Sequence, residues 1–309
     1  MKLAIDVHGI NKYYGDKHVV RDLSLKVREG EIFGFLGPNG SGKTTSIRML
    51  CGLLTPNSGA GQCLGYDVLT ESDEIKRLVG YMTQKFSLWE DLTIGENLNF
   101  IARMFGIIKR QEAVRTALEK LGLEGRRDQL AGTLSGGWKQ RLSLASCLMH
   151  SPKLLLLDEP SAGVDPKARR DFWEEIHHLS ASGITVLVST HYMDEAERCH
   201  RLAYIAYGSI LASGTPEEVV LMQNMITWAV SGEDIQRYSD AFRKITGVEQ
   251  VATFGSVLHV SSEAESSPGP RIEEFCVQHG LSVKPAQPSL EDVFIRLMNR
   301  TRDPFQSGQ

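Results

Sequence analysis

Short, fully apolar runs alternate with longer stretches of helical period along most of this chain. Glu31–Leu36 (EIFGFL), Leu154–Leu157 and Ile184–Val188 (ITVLV) have strand length and no polar alternation, which marks strands buried on both faces. The intervening stretches repeat like helices. Thr45–Leu50 begins one. Thr93 opens a capping box with Glu96 ahead of Leu98, Phe100, Ile101 and Phe105, and the helical pattern runs on to about Gly122. Leu142, Ala145, Leu148 and Met149 pattern another, and Phe172, Ile176 and Leu179 mark the covered face of a further one. This order predicts an α/β unit with a mostly parallel sheet covered on both sides. Residues 1 to about 35 alternate as short strands with a turn at Tyr14–Lys17.

Near residue 225 the pattern changes. Strand (Ile226–Val230), helix (Ile235–Thr246), two strands (Val248–Phe254, Val257–Val260), a polar stretch, helix (Arg271–His279), strand (Leu281–Lys284) and a final helix from Ser289 follow. That β-α-β-β-α-β order predicts a small ferredoxin-like α+β domain over 225–300. The tail 301–309 reads as disordered.

Composition narrows the classes. The 309 residues accommodate one large and one small domain, and a net charge of −4 gives no electrostatic case for nucleic-acid binding. Five scattered cysteines without CxxC pairing point to buried thiols in a reducing compartment. No run approaches the roughly 18 apolar residues that cross a bilayer. The first ten residues alternate like a strand and lack a signal-peptide core. A soluble, cytosolic chain is the expectation, with any membrane role exerted through a partner.

The chemistry concentrates in Gly37–Thr44, GPNGSGKT, between a predicted strand and a predicted helix. Gly37, Pro38, Asn39, Gly40, Ser41 and Gly42 form a loop that aims backbone N–H groups at phosphate oxygens. Lys43 supplies a positive charge to the outer phosphates, Thr44 a hydroxyl to magnesium, and Thr45 continues into the helix. Asp158 and Glu159 end an apolar strand, where open parallel sheets bind ligands. Asp158 is placed to hold magnesium directly or through water, and Glu159 to polarise an attacking water. Ser135, Gly136 and Gly137 (LSGGWKQ) open a helix and form a second anion cradle. One triphosphate faces two cradles; a head-to-tail pair of chains would resolve this, each completing the other's site.

In the order GPNGSGKT, Gln84 (YMTQ), LSGGWKQ, LLLLDEP, SAGVDP and His191, residues 3 to about 220 resemble the ATP-binding subunit of an ABC transporter. The resemblance implies a P-loop NTPase-type sheet with N-terminal antiparallel strands and a helical subdomain at about 86–149, within an ATP-binding domain spanning 1–224. It also implies ATP and magnesium, a second copy of the domain, and a separate transmembrane permease that holds the chain on the cytoplasmic face. By position, Tyr14 resembles the aromatic that stacks on adenine, with Tyr13 the competing choice. Gln84 resembles the glutamine that reaches magnesium and the attacking water. Asp165 resembles the residue that communicates across the dimer, and His191 the switch histidine at the γ-phosphate. Trp138 departs from the usual glutamine or methionine, and either dimer closure or the packing beneath its helix would feel the indole. PSLEDVFIRL (Pro288–Leu297) and HYMDEAE (His191–Glu197) resemble the drug-resistance branch of type-2 exporters, similar to the daunorubicin-exporter ATPase, a layout shared by polysaccharide and lipid exporters. Importer ATPases and soluble ABC ATPases share the core motifs and are the alternatives. By itself, PSLEDVFIRL reads as a capped amphipathic helix with Leu290, Val293, Phe294 and Leu297 on one face.

Overall fold

The computed structural model describes residues 2–266 and 268–300, so the tail expected to be disordered lies outside the described residues. The chain divides into two compact units between Leu211 and Ala212, ahead of the composition change near 225.

The first unit is built on a sheet of six strands: β3 (Ile32–Leu36), β6 (Val79–Met82), β7 (Leu154–Asp158), β8 (Thr185–Thr190), β9 (Arg201–Ala206) and β10 (Ser209–Gly214), in the order β10-β9-β3-β8-β7-β6. The pairs β9/β3, β3/β8, β8/β7 and β7/β6 are all parallel. The unbroken apolar runs are explained by alternation between two cores. Leu155 and Leu157 pack with Ile32, Val186 and Val188 on one side; Leu154 and Leu156 pack with Phe33, Phe35 and Leu187 on the other. The second core is closed by an antiparallel sheet, β2-β1-β4-β5, of β1 (Leu3–Tyr14), β2 (Lys17–Arg28), β4 (Ser58–Cys63) and β5 (Tyr66–Asp67). Helices α1 (Lys43–Leu50) and α2 (Ser72–Leu78) add Ile47, Met49, Leu50 and Ile75 to it.

The first core is covered by α3 (Ile94–Met104), α4 (Arg110–Lys120), α5 (Gly136–Leu148) and α6 (Pro166–Ala181). The helical pattern from Thr93 to Gly122 is broken at Gly106, whose φ of 65° ends α3 and lets the chain turn into α4. The capping box forms as expected, with Glu96 N donating to Thr93 Oγ1 and Thr93 N to Glu96 Oε2. The stripe ahead of it is only half buried. Leu98 is enclosed, whereas Phe100 and Phe105 are exposed, Phe100 against the Trp89 ring and Phe105 stacked on His150.

In the second unit, α8 (Pro216–Leu221) precedes β11 (Met225–Ser231), α9 (Ser239–Arg243), β12 (Gln250–Phe254), β13 (Val257–Glu263), α10 (Gly269–His279), β14 (Ser282–Ala286) and α11 (Leu290–Arg300). The strands order as β12-β13-β11-β14, and each pair is antiparallel, as a ferredoxin-like arrangement requires. The helix from Ser289 is more than amphipathic. Leu290 and Val293 are buried, but so are Asp292 and Arg296. Asp292 Oδ2 accepts from Ser289 N and Oγ and lies 2.9 Å from His259 Nδ1. Arg296 donates to Gln223 O and Glu263 Oε1. These pairings offset part of the cost of burial, although Asp292 Oδ1 and Arg296 Nε are buried without a hydrogen-bond partner.

Candidate active site

Parallel registration brings four strand ends to one line. Leu36 pairs with Thr190, Asp158 with Ser189, and Met82 with Leu157. The residues that follow are Gly37, His191, Glu159 and, two further on, Gln84. Four chain segments far apart in sequence thus deliver their polar groups beyond the carboxyl edge of one sheet.

The loop after β3 is shaped by space as well as by glycine's freedom. A Cβ on Gly37 would lie 2.1 Å from Ile205 O, and one on Gly42 would lie 2.9 Å from Val19 O. Gly42 also has φ 102° and begins α1. Gly40 has φ 80° and open space, with Asn39 exposed beside it. Ser41 N donates to Pro38 O, closing the turn. Ser41 Oγ is buried without a hydrogen-bond partner, a polar atom awaiting an acceptor or donor.

Lys43 is 4 % exposed and lies 3.3 Å from Glu159 Oε1. It also donates to Gly37 O at 2.8 Å and Pro38 O at 3.1 Å. Burial holds its ammonium below the usual lysine range, opposed by the pull of Glu159 and Asp158. Glu159 Oε2 accepts from Gln84 Nε2 at 2.9 Å, and His191 Nδ1 lies 3.3 Å from the same oxygen. Glu159 has a left-handed φ of 46°, a conformation strained for a side chain with a Cβ. Its N–H is fixed by Ser189 O and Ser189 Oγ. Asp158 Oδ1 accepts from Thr44 Oγ1 at 3.1 Å and Ser189 Oγ at 2.7 Å. Lys43, Thr44, Gln84, Asp158, Glu159 and His191 therefore form one cluster, and Thr45 sits on the first turn of α1 beside it.

The remaining candidates lie apart: among the described residues no hydrogen bond or ion pair joins Tyr14, Ser135 or Asp165 to that cluster. Tyr14 is 52 % exposed, with Lys12 Nζ 5.7 Å from its ring centre. Tyr13 is stacked on His18 at 4.0 Å, so its ring already has a partner. Ser135 precedes α5 without capping it and is exposed, as is Gly136. Gly137 is needed for proximity, since a Cβ there would come within 2.8 Å of Ala168 Cβ on α6. Asp165 caps α6 by accepting from Lys167 N and Ala168 N. Trp138 packs sideways on the helical core, with the Arg126 and Arg141 guanidinium carbons 4.4 Å and 5.4 Å from its ring centre.

Three contributors escaped the sequence reading. Ser189 orients both acidic residues, and its signal was its place at a strand end beside them. Gln140, inside LSGGWKQ, ties α5 to Pro160 O at 2.5 Å. Glu195, inside HYMDEAE, is fully buried beside the His191 strand end.

The donor set fits a nucleotide polyphosphate. A tight loop with no room for a side chain at Gly37 or Gly42, an orphaned serine hydroxyl and a desolvated ammonium converge at a helix start. Thr44 and Asp158 are hard oxygen donors of the kind that bind Mg2+.

Comparison with known proteins decides the family. The ABC transporter family profile matches residues 20–162. The Nod factor export ATP-binding protein I of Rhizobium sp. (strain N33) is 39 % identical over 305 residues, 97 % of this chain and 98 % of that protein. The chain belongs to the ABC transporter ATP-binding proteins. It is an ATP-binding ATPase subunit of a transporter. The probable multidrug ABC transporter ATP-binding protein YbhF of Escherichia coli (strain K12) is 43 % identical over 218 residues, and the match spans 70 % of this chain but only 38 % of YbhF. Among solved structures, cbiO1 from Clostridium perfringens, part of the ABC transporter complex cbiONQ, superposes with a TM-score of 0.65 at 26 % identity, over 72 % of this chain and 92 % of that one. The dimeric post-hydrolysis ATP-binding cassette MJ0796, bound to ADP and Pi, gives 0.62 at 25 % identity, over 68 % and 98 %.

Proposed function

We propose that this subunit powers an exporter, as a head-to-tail dimer closed around two ATP-Mg on the cytoplasmic face of a separate permease. The observation that carries the dimer is the separation of two anion sites on one chain: a buried cluster around Lys43, and an exposed, uncapped start of α5 at Ser135–Gly137. A second copy supplies the missing half. The names of the relatives, multidrug and Nod factor export proteins, support export of a drug, lipid or polysaccharide-like substrate. Among the described residues no helix is long and apolar enough to cross a membrane, and this reading gives the membrane path to the permease. The exposed Trp89, Phe100, Met104 and Phe105 of the helical region offer that subunit an apolar surface.

In this reading the site residues divide the work. Lys43 has two competing anions, Glu159 and the outer phosphates. Its transfer to phosphate frees the Glu159 carboxylate to orient and deprotonate water for in-line attack. Gln84 holds that carboxylate from the helical side, and His191 contacts the terminal phosphate. Mg2+, held by Thr44 and Asp158 with Gln84 in reach, would supply charge neutralisation across the phosphates. Tyr14 stacks on the base and Asp165 faces the partner copy.

The test is Glu159→Gln with saturating ATP, followed by light scattering and phosphate release. A stable dimer with turnover lowered about 10²-fold or more is expected. A monomer that retains rapid turnover would contradict the reading.

A further inference from the structure

Glu195 is a buried carboxylate that the hydrolytic cluster does not use. It lies in α7 (Met193–Ala196), a single turn after β8, and is 0 % exposed. Such a charge is costly to bury unless every oxygen is satisfied. Here both oxygens are. Oε1 accepts from Ser161 Oγ, and Oε2 accepts from Thr190 Oγ1 at 2.6 Å. The Thr190 hydroxyl in turn accepts from Tyr192 N at 3.0 Å. Arg169, from α6, places Nε 3.5 Å from Oε1 and stacks its guanidinium 4.3 Å from the Tyr192 ring centre.

The partners are informative by position. Thr190 and Tyr192 flank His191 on both sides. Ser161 lies two residues beyond Glu159, in the segment that runs on to Asp165. We propose that Glu195 is a positioning residue for hydrolysis: it clamps the backbone on either side of His191 to the segment following Glu159. The clamp sets the 3.3 Å separation between His191 Nδ1 and Glu159 Oε2. No hydrogen bond or ion pair runs from Glu195 to Lys43, Gln84 or Glu159 among the described residues, so it acts through the two segments it joins. Arg169 carries the same node into α6, the helix capped by Asp165. The inference rests on the reading that His191 contacts the terminal phosphate.

The experiment compares Glu195→Ala and Glu195→Gln in the parent and in His191→Ala, by single-turnover and steady-state phosphate release with the full chain. Glu195→Ala releases both hydroxyls and is expected to lower kcat about tenfold or more, since small misplacements of reacting groups are costly, with KM for ATP within about twofold. The isosteric amide of Glu195→Gln bonds both hydroxyls and recovers most of the loss. In the His191→Ala background, Glu195→Ala is expected to change kcat less than about twofold, because coupled residues are not additive. Equal losses in both backgrounds, or a parent kcat untouched by Glu195→Ala, would overturn the proposal. Failure of the His191 reading shows separately, as an unchanged kcat in His191→Ala alone, and takes the proposal with it. Should Glu195→Ala not fold, Thr190→Val, which removes the donor next to His191, reads the same quantities.

Discussion

At the scale of single residues, two glycines in one loop have different reasons to be there. Gly37 has no special backbone angle; what excludes a side chain is Ile205 O, 2.1 Å from where a Cβ would go. Gly40 is the reverse, with open space and a left-handed φ. Gly37→Ala is therefore expected to push the loop off β9, at a cost of about 1–3 kcal/mol, and to weaken ATP binding at least about tenfold by calorimetry. Gly40→Asn, a residue that tolerates left-handed φ, keeps near-parent affinity. Lys43→Ala removes the desolvated ammonium itself, and its ATP affinity should fall below detection in the same assay. The sequence pattern made the loop and the acidic pair legible because each lies at a strand end with a distinctive composition; His191 came from the resemblance, helped by its place after an apolar run. It said nothing of Glu159 holding Lys43 in a buried ion pair, because that contact joins residues 116 positions apart through the sheet register.

At the scale of elements, β3, β7, β8, the strands of the second unit and most helices were legible because apolar runs and a 3.6-residue repeat survive without tertiary context. The sequence reading did not find β4, β5, β6, β9 and β10, and it also missed the burial of polar groups. Asp292 and Arg296 are buried along α11 beside Leu290 and Val293, where periodicity alone offered the apolar set Leu290, Val293, Phe294 and Leu297. Trp138 was open between two effects; in this copy its ring packs on the helical core with the Arg126 and Arg141 guanidinium groups beside it. The acidic partners of α11 carry a pH dependence. The hydrogen bond from Arg300 holds the Glu263 carboxyl below its ordinary value of 4.5, with Arg296 adding to it. A depressed folded-state pKa contributes stability that is fully present above about 4.5 and is lost as pH falls through the lower folded value. Urea unfolding of the C-terminal transition should show lower stability at pH 3.5 than at pH 6, and Glu263→Gln should flatten that slope. An unchanged slope would remove the pair from the account.

For the whole molecule, the proposed division of labour between two copies makes a prediction that no single variant can. Lys43→Ala disables the phosphate loop, and Ser135→Arg blocks the exposed start of α5. Each alone should be inactive. Mixed, they form a heterodimer in which one site pairs an intact loop with an intact cradle. Phosphate release should then reappear at up to about a quarter of the parent rate, from half the dimers with one of two sites each. A mixture as inactive as its parts would mean that the cradle serves its own chain.

The thiols of this chain have a practical corollary. Cys51, Cys63, Cys147, Cys199 and Cys276 are all buried, and burial pushes Cys51 up to about 11 and Cys63 and Cys147 up to about 12. Their nucleophilic form is scarce at neutral pH, and reagents cannot reach them. The unaltered polypeptide is thus its own silent background for maleimide chemistry. A sixth cysteine introduced at Ser135 would be the sole reactive handle, ready to carry a dye or spin label without removing any native sulfur.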